Sequence, residues 1–457
     1  MSESEPPMPD PEKFDAIVVG GGSGGLAFAK RAGALGARVL LIERAELGGT
    51  CVNRGCVPKK LMWELGRHRR QAVEMEAAGL APAPQLDYPA FTARRAARID
   101  GIRQSYDAAL SDAGVTLLRA TARIDAPGEV QADGRRFATD RLVIATGARP
   151  TLPPLPGAEH ASVSDDVFAW EALPRRIVIV GGGYIGCEFA AILAALGSEV
   201  TLVTDEDRLL VGFDEDAAQI AAQNLETAGV SVRLGAPLER ISRAVDGGLR
   251  VSLDSGLVEE AERVLLAVGR TPNIDDLGAL SESLEVADSG ALAVSDRLET
   301  SVAGVYALGD AADRIPLTPV ATRDGTALAD TLFGEGGDFA DLGLVATTAF
   351  VYPPVAQVGR TEAAAREAGT EVEAISDTAR DLSSGVLTPE GRDGTQFYKL
   401  VRETASGRLI GAALMAYGAE DMIATTGMAL ASAPDRACVA RPTGVHPTFG
   451  EELVGPG

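Results

Sequence analysis

A chain of 457 residues, 46% of them hydrophobic, can bury the cores of several domains. Its net charge of −23 excludes a general affinity for nucleic acid or anionic membranes. No apolar run reaches the roughly 18 residues that span a bilayer.

Residues 1–13, MSESEPPMPDPEK, are acidic and proline-rich, so a disordered tail is expected there and no signal peptide. Four cysteines cannot form a disulfide framework for a chain this long. Without an export signal the expected location is the reducing cytoplasm, where a disulfide is catalytic rather than structural.

Residues 14–43 read as a βαβ unit: the strand FDAIVVG, a glycine turn, the helix LAFAKRAGALG and the strand ARVLLIE. Gly20, Gly22 and Gly25 have G-x-G-x-x-G spacing between strand and helix, and Glu43 ends the second strand. Glycines let backbone amides approach a pyrophosphate, and a terminal acid takes ribose hydroxyls. Framed in this way the motif is a strong dinucleotide signal.

GGTCVNRGCVPKK (48–60) follows and holds Cys51 and Cys56. The segment reads as a reversible disulfide, against a buried pair of thiols or two metal ligands. A disulfide holds its Cα atoms about 4.4–6.8 Å apart. Five residues of regular helix rise about 7.5 Å. The helix must therefore be distorted here, and Gly55 supplies the freedom. Pro58 suits the first regular turn, where no amide donor is needed. Metal pairs usually have tighter spacing, and no second Cys or His pair is near, so no metal site is expected.

Residues 61–118 read as helical with a loop near APAPQLDYP; LVIATGARP (142–150) reads as a buried strand and PPLPG (153–157) as a linker. A second βαβ unit begins at RIVIV (176–180), with Gly181, Gly183 and Gly186 in the same spacing. Thr204 stands where Glu43 stands in the first unit, followed by Asp205, Glu206 and Asp207. Two such units imply one tightly held and one exchanging cofactor. From about 340, alternating strands and the helix EDMIATTGMALAS suggest a separate α+β domain.

GGTCVNRGCVPKK, GYIGCEFA, VGRTPN, LGDAA, TPVA and HPTFGEE occur in an order that resembles the class I pyridine nucleotide–disulfide oxidoreductases, and among them the glutathione reductases. The resemblance implies an α/β fold. Two Rossmann-like three-layer domains would bind FAD (14–150 and 274–335) and NAD(P)H (151–273). A C-terminal α+β dimerisation domain (336–457) would carry a catalytic His. Gly20, Gly22, Gly25 and Glu43 would bind the FAD adenosine part, and Thr50, Gly147 and Asp310 would line the flavin and ribityl chain. Lys60 and Glu188 would form an ion pair beside the flavin, and Tyr184 would cover the ring until nicotinamide displaces it. Gly181, Gly183, Gly186, Asp205 and Arg270 would serve the cofactors.

By the same resemblance Cys56 faces the flavin and Cys51 attacks the substrate disulfide. His446, with Glu451 behind it, protonates the leaving thiolate in the partner subunit's site, so the active unit is a homodimer. Cys187 and Cys438, in apolar contexts, read as inert.

Two departures stand out. Where glutathione reductases carry two arginines for the NADPH 2′-phosphate, this chain has Asp205 and Val211, with only Arg208 basic nearby, which favours NADH. On the substrate side Ser23 and Tyr106 match glutathione-contacting positions, but one carboxylate-binding Arg is Lys30 and another is Thr326, with Arg323 a turn away. The substrate class implied is a low-molecular-weight disulfide, glutathione disulfide or a close analogue. A dihydrolipoamide dehydrogenase-like enzyme is disfavoured by NRGCVPKK and by Val445 before His446. A non-enzymatic flavoprotein or NADH-sensing module would have no use for Cys51, Cys56 and His446.

Overall fold

The computed structural model describes residues 10–454 apart from 81, 245–246, 383–385, 388–393 and 433–442. Cys438 lies outside the described residues. The helices used below are α1 (Ser23–Ala34), α2 (Gly49–Arg54), α3 (Cys56–Ala77), α4 (Tyr88–Asp112), α5 (Tyr184–Ala195), α6 (Glu215–Thr227), α7 (Thr318–Phe333), α8 (Glu362–Glu367) and α9 (Ala419–Ala431). Contacts divide the chain into two compact units: residues up to 58, 93–149 and 270–340; and 59–92, 150–269 and 341 onward.

The first unit is built on a parallel sheet with strand order Val305–Ala307, Leu142–Ile144, Ala16–Val19, Val39–Glu43, Thr116–Arg119. Its inner strands AIVV and VLLIE are buried along their whole length because both faces are covered. Side chains alternate between the two faces. Ala16, Val18, Val39, Leu41 and Val143 join a core with residues of α1 and α7. Ile17, Val19, Leu40, Ile42 and Ile144 join another with Ile124, Val130 and Phe137 of a smaller sheet. Helices α1 and α7 cross closely at glycines, since a Cβ on Gly325 would stand 2.4 Å from the Gly24 carbonyl oxygen.

The smaller sheet corrects one expectation. Glu12–Lys13 is not tail but a strand paired in parallel with Phe137 and Ala138. The Glu12 carboxylate holds Arg38 at 2.5 Å and Arg135 at 2.6 Å. Two-residue edge pairing depends on distant partners and leaves no periodic trace in the sequence. Of the rest of the expected tail, residues 1–9 lie outside the described residues.

The second unit repeats the design. Its parallel sheet runs Ser162–Val163, Arg263–Leu266, Arg176–Val180, Glu199–Val203, Ser231–Arg233. Beside it stands a three-stranded antiparallel meander, Leu238–Arg243, Leu249–Leu253 and Val258–Ala261. The same unit holds an antiparallel sheet in the order Thr347–Ala349, Val355–Gly359, Leu409–Met415, Thr395–Glu403, Val372–Arg380, packed against α9. One core joins the two sheets, with Ile192, Ala217 and Ala221 packed among Val355, Phe397 and Met415.

Residues 59–92, expected with the first nucleotide fold, group with this unit. Trp63 is the reason. It is fully buried and stacked on Tyr352 at 5.5 Å; its indole donates to the Val351 carbonyl at 3.0 Å, and the Tyr352 hydroxyl donates to the Trp63 carbonyl at 2.6 Å. Emptying such a site costs about 3–5 kcal/mol. Among the described residues no helix is long and apolar enough to cross a membrane.

Candidate active site

The two glycine turns are built alike. A Cβ on Gly20 would lie 2.2 Å from the Ala145 carbonyl oxygen, and one on Gly25 would lie 2.0 Å from that of Gly20. In the second turn a Cβ on Gly181 would lie 2.3 Å from the Ala267 oxygen and one on Gly186 1.9 Å from that of Gly181. These positions close the turn and seat the helix on the strand. The middle glycines differ: a Cβ on Gly22 or Gly183 meets nothing within 4 Å. That open face, at the N-terminus of a 12-residue helix in each case, is where a pyrophosphate fits.

The two turns differ in the acid. The Glu43 carboxylate accepts from the Gly21 amide at 2.6 Å and the Ala45 amide at 2.7 Å, which fixes it at the end of its strand. At the equivalent place beside Gly182 stands buried Thr204, and Asp205, Glu206 and Asp207 follow, all exposed. Arg208 points away from them, donating to the carbonyls of Leu210 and Phe213 at 3.5 and 3.4 Å. Tyr184 opens α5 and is 40% exposed, so it is not a core aromatic.

The cysteines lie in the first unit. Cys51 is in α2 and Cys56 begins α3, with Gly55 at φ −151°, ψ −116° breaking the helix between them. A Cβ at Gly55 would stand 3.0 Å from the Thr50 carbonyl oxygen. The break expected from disulfide geometry is therefore present. No disulfide joins the two sulfurs here. Cys51 is held well above the usual thiol pKa, first by its hydrogen bond to Cys56 and then by burial; hydrogen bonds with Thr318 and Ser23 oppose the shift. Cys56 Sγ lies 3.6 Å from the Thr318 hydroxyl. Asn53 pins the approach to α2, donating to the Leu47 and Gly49 carbonyls at 3.0 and 2.9 Å.

Two of the predicted substrate residues gather with the pair. The Ser23 hydroxyl reaches Cys51, and burial first, then the nearness of Cys51, pushes the Tyr106 phenol up. The Lys30 ammonium stands 5.4 Å from the Tyr106 ring centre. Arg323, a possible stand-in for the missing arginine, is engaged instead by the Asp338 carboxylate. In the same unit Arg270 donates to the Ala148 carbonyl at 2.6 Å and the Thr50 hydroxyl at 3.3 Å, and lies 3.9 Å from Asp310. Burial raises the Asp310 carboxyl, and Arg270 only partly offsets this. Gly147, at φ +68°, is also open to a ligand.

The ion pair in the second unit corrects the sequence reading. Glu188 is bound by Lys59, at 2.7 Å, and not by Lys60. Neighbouring residues on a helix point about 100° apart. Only Lys59 faces Glu188; Lys60 turns to Glu64 at 3.2 Å and Glu420 at 3.4 Å. The Phe350 amide also donates to Glu188, at 2.9 Å, a contact from 162 residues away that no local pattern signals. His446 Nδ1 lies 3.0 Å from the Glu451 carboxylate, and the imidazole is 82% exposed. Cys187 is fully buried, and burial pushes its thiol up to about 12, so it stays protonated and inert.

Two dinucleotide turns and a thiol pair across a helix break define a flavin- and pyridine-nucleotide-linked disulfide oxidoreductase. Residues 14–325 match the family model "Pyridine nucleotide-disulphide oxidoreductase", and residues 345–455 match that family's dimerisation domain. The chain belongs to this family. It is 36% identical over 444 residues to a glutathione reductase of Burkholderia cepacia and 35% identical over 458 residues to one of Nostoc sp.; each match covers 96% of this chain and 98% of the relative. It is 31% identical over 453 residues to the chloroplastic/mitochondrial glutathione reductase of Pisum sativum, covering 96% of this chain and 82% of the relative. The protein is thus an FAD-containing enzyme that uses a pyridine nucleotide to reduce a small-molecule disulfide, as a homodimer.

Proposed function

We propose that the chain reduces glutathione disulfide, or a close low-molecular-weight analogue, with NADH preferred over NADPH, and that it does so in the cytoplasm. The observation that carries the reading is the Cys51–Cys56 pair, hydrogen-bonded sulfur to sulfur across the Gly55 break, with Ser23 on it and Tyr106 and Lys30 nearby. The relatives' names point to the glutathione substrate.

FAD suits the first unit: a Cβ at Gly22 or Gly147 would meet nothing within 4 Å, and Gly20, Gly25, Glu43, Thr50, Arg270 and Asp310 would line the group. When bound it supplies the relay of two electrons between dinucleotide and sulfur. In the second unit Gly181, Gly183 and Gly186 would hold the dinucleotide pyrophosphate.

Two electrons and two protons open the Cys51–Cys56 disulfide to two thiols. Cys51 gives up its proton and attacks one substrate sulfur, forming a mixed disulfide and expelling the first thiolate. His446 of the partner subunit, oriented by Glu451, protonates that leaving group. Cys56 then loses its proton and attacks Cys51, releasing the second thiol and restoring the disulfide. Summed, NADH, a proton and one disulfide give NAD+ and two thiols.

The dinucleotide preference rests on the exposed run Asp205–Glu206–Asp207 and on Arg208 being engaged by loop carbonyls. A 2′-phosphate beside an exposed carboxylate is disfavoured by about 1 kcal/mol per unit charge pair at 4 Å. A panel of disulfides assayed with NADH and NADPH tests both parts. NADH should give the higher kcat/KM, by roughly tenfold or more; a strong NADPH preference removes that claim, and no turnover of glutathione disulfide removes the substrate.

A further inference from the structure

We propose that Gln357 and Lys399, both on the C-terminal sheet, are positioning residues for the pyridine nucleotide. They act by clamping the end of the loop that carries Asp205, Glu206 and Asp207. The inference rests on the reading that this loop lies along the adenosine half of the dinucleotide.

The loop leaves the strand Glu199–Val203 and returns as α6. Its course is irregular, with Leu210 at φ +51° and Gly212 at φ +94°. Such backbone persists only where its surroundings hold it. In its later half the Leu210 amide donates to the Gly182 carbonyl at 2.8 Å, tying the loop to the glycine turn. Two residues on, where the loop runs into α6, the C-terminal sheet grips it. The Gln357 side-chain amide donates to the Gly212 carbonyl and accepts from the Asp214 amide, each at 2.9 Å. Both ends of one amide are thereby used on backbone two residues apart.

Asp214 caps α6, accepting from the Ala217 amide at 3.3 Å, and its other carboxylate oxygen meets the Lys399 ammonium at 3.0 Å. Lys399 also holds Asp216 at 2.6 Å and Glu362 at 3.5 Å, and its side chain is only 4% exposed. A second tie, Asn224 of α6 exchanging hydrogen bonds with the Thr395 backbone at 3.1 and 3.0 Å, keeps the helix from drifting on the sheet. The sheet thus fixes where the loop begins its helix, and through Leu210 the loop bears on the turn that receives the pyrophosphate. None of these groups touches the reacting atoms.

The test is steady-state kinetics of the FAD-loaded dimer with NADH and with NADPH, together with the Kd for NAD+ by calorimetry. Gln357→Ala should raise the KM for the nucleotide and the Kd for NAD+ at least fivefold, with kcat and the disulfide KM within twofold of the parent. Lys399→Met leaves buried Asp214 without its cation and should act in the same direction, while Lys399→Met with Asp214→Asn should recover the fold but not the affinity. If Lys399→Met fails to fold, Gln357→Ala alone decides. Unchanged nucleotide KM and NAD+ Kd in folded Gln357→Ala overturns the proposal, and so does a parallel loss in the disulfide KM. Failure of the NADH preference is read separately, from the NADH-to-NADPH ratio in the parent enzyme.

Discussion

The hydroxyl of Thr318 stands 3.6 Å from the sulfur of Cys56, although 262 residues separate them in the chain. Thr318 is the first residue of α7, so the sulfur also meets the start of a 16-residue helix. A hydroxyl donor and a helix N-terminus both favour a thiolate. Thr318→Val is nearly isosteric and removes only the donor. In the dithionite-reduced enzyme it should weaken the long-wavelength absorbance that a Cys56 thiolate gives beside flavin. An identical long-wavelength absorbance in the variant would show that the hydroxyl does not act on this sulfur.

Lys59 and Lys60 separate structure from sequence in a single experiment. Removing Lys59 leaves Glu188, 4% exposed, without its cation, a change that typically costs about 3–5 kcal/mol. Lys60 is 35% exposed, and its ion pairs are worth under about 1 kcal/mol. Lys59→Met should therefore lower the urea midpoint far more than Lys60→Met. Equal losses would contradict the assignment.

The same pair shows what a sequence can reveal. The glycine turns and the helix break at Gly55 were legible because sterics dictate them: pyrophosphate binding needs absent side chains, and a sulfur pair five residues apart needs a distorted helix. The choice between adjacent lysines was not, because it depends on helix rotation relative to Glu188, 129 residues on. The Phe350 amide on Glu188 and the Glu12 strand escaped for a similar reason. A backbone donor has no residue type to read, and a two-residue strand has no period. Cys187, by contrast, was placed correctly from its apolar neighbours alone.

Asp310 predicts a pH effect with a definite sign. Burial raises its carboxyl above the usual 3.8, and Arg270 only partly offsets this. The folded FAD-free protein therefore disfavours the anion. Stability is unaffected at low pH, falls as pH rises through the interval between 3.8 and the raised value, and stays reduced above it. Asp310→Asn removes the penalty and should make the FAD-free protein more stable than its parent at neutral pH, with the gap closing toward acid. Denaturant midpoints at several pH values check it; a variant less stable throughout would show that the carboxylate is held favourably.

His446 and Cys51 make the final prediction, which divides the two halves of the reaction. Cys51 is held protonated by its bond to Cys56 and by burial, so it needs a base before it can attack a disulfide. The imidazole with Glu451 at 3.0 Å is suited to take that proton and to return one to the leaving thiolate. His446→Gln should leave reduction of the flavin by NADH within twofold of the parent, because no disulfide substrate is involved in that half. Reoxidation by the disulfide should fall by roughly 10²–10⁴-fold, the usual contribution of a positioned acid–base group. Glu451→Gln keeps a hydrogen-bond acceptor but loses the charge, and should give a smaller fall. Stopped-flow measurement of each half-reaction separates these outcomes. A His446→Gln enzyme slowed equally in both halves would place the histidine in the scaffold rather than in proton transfer.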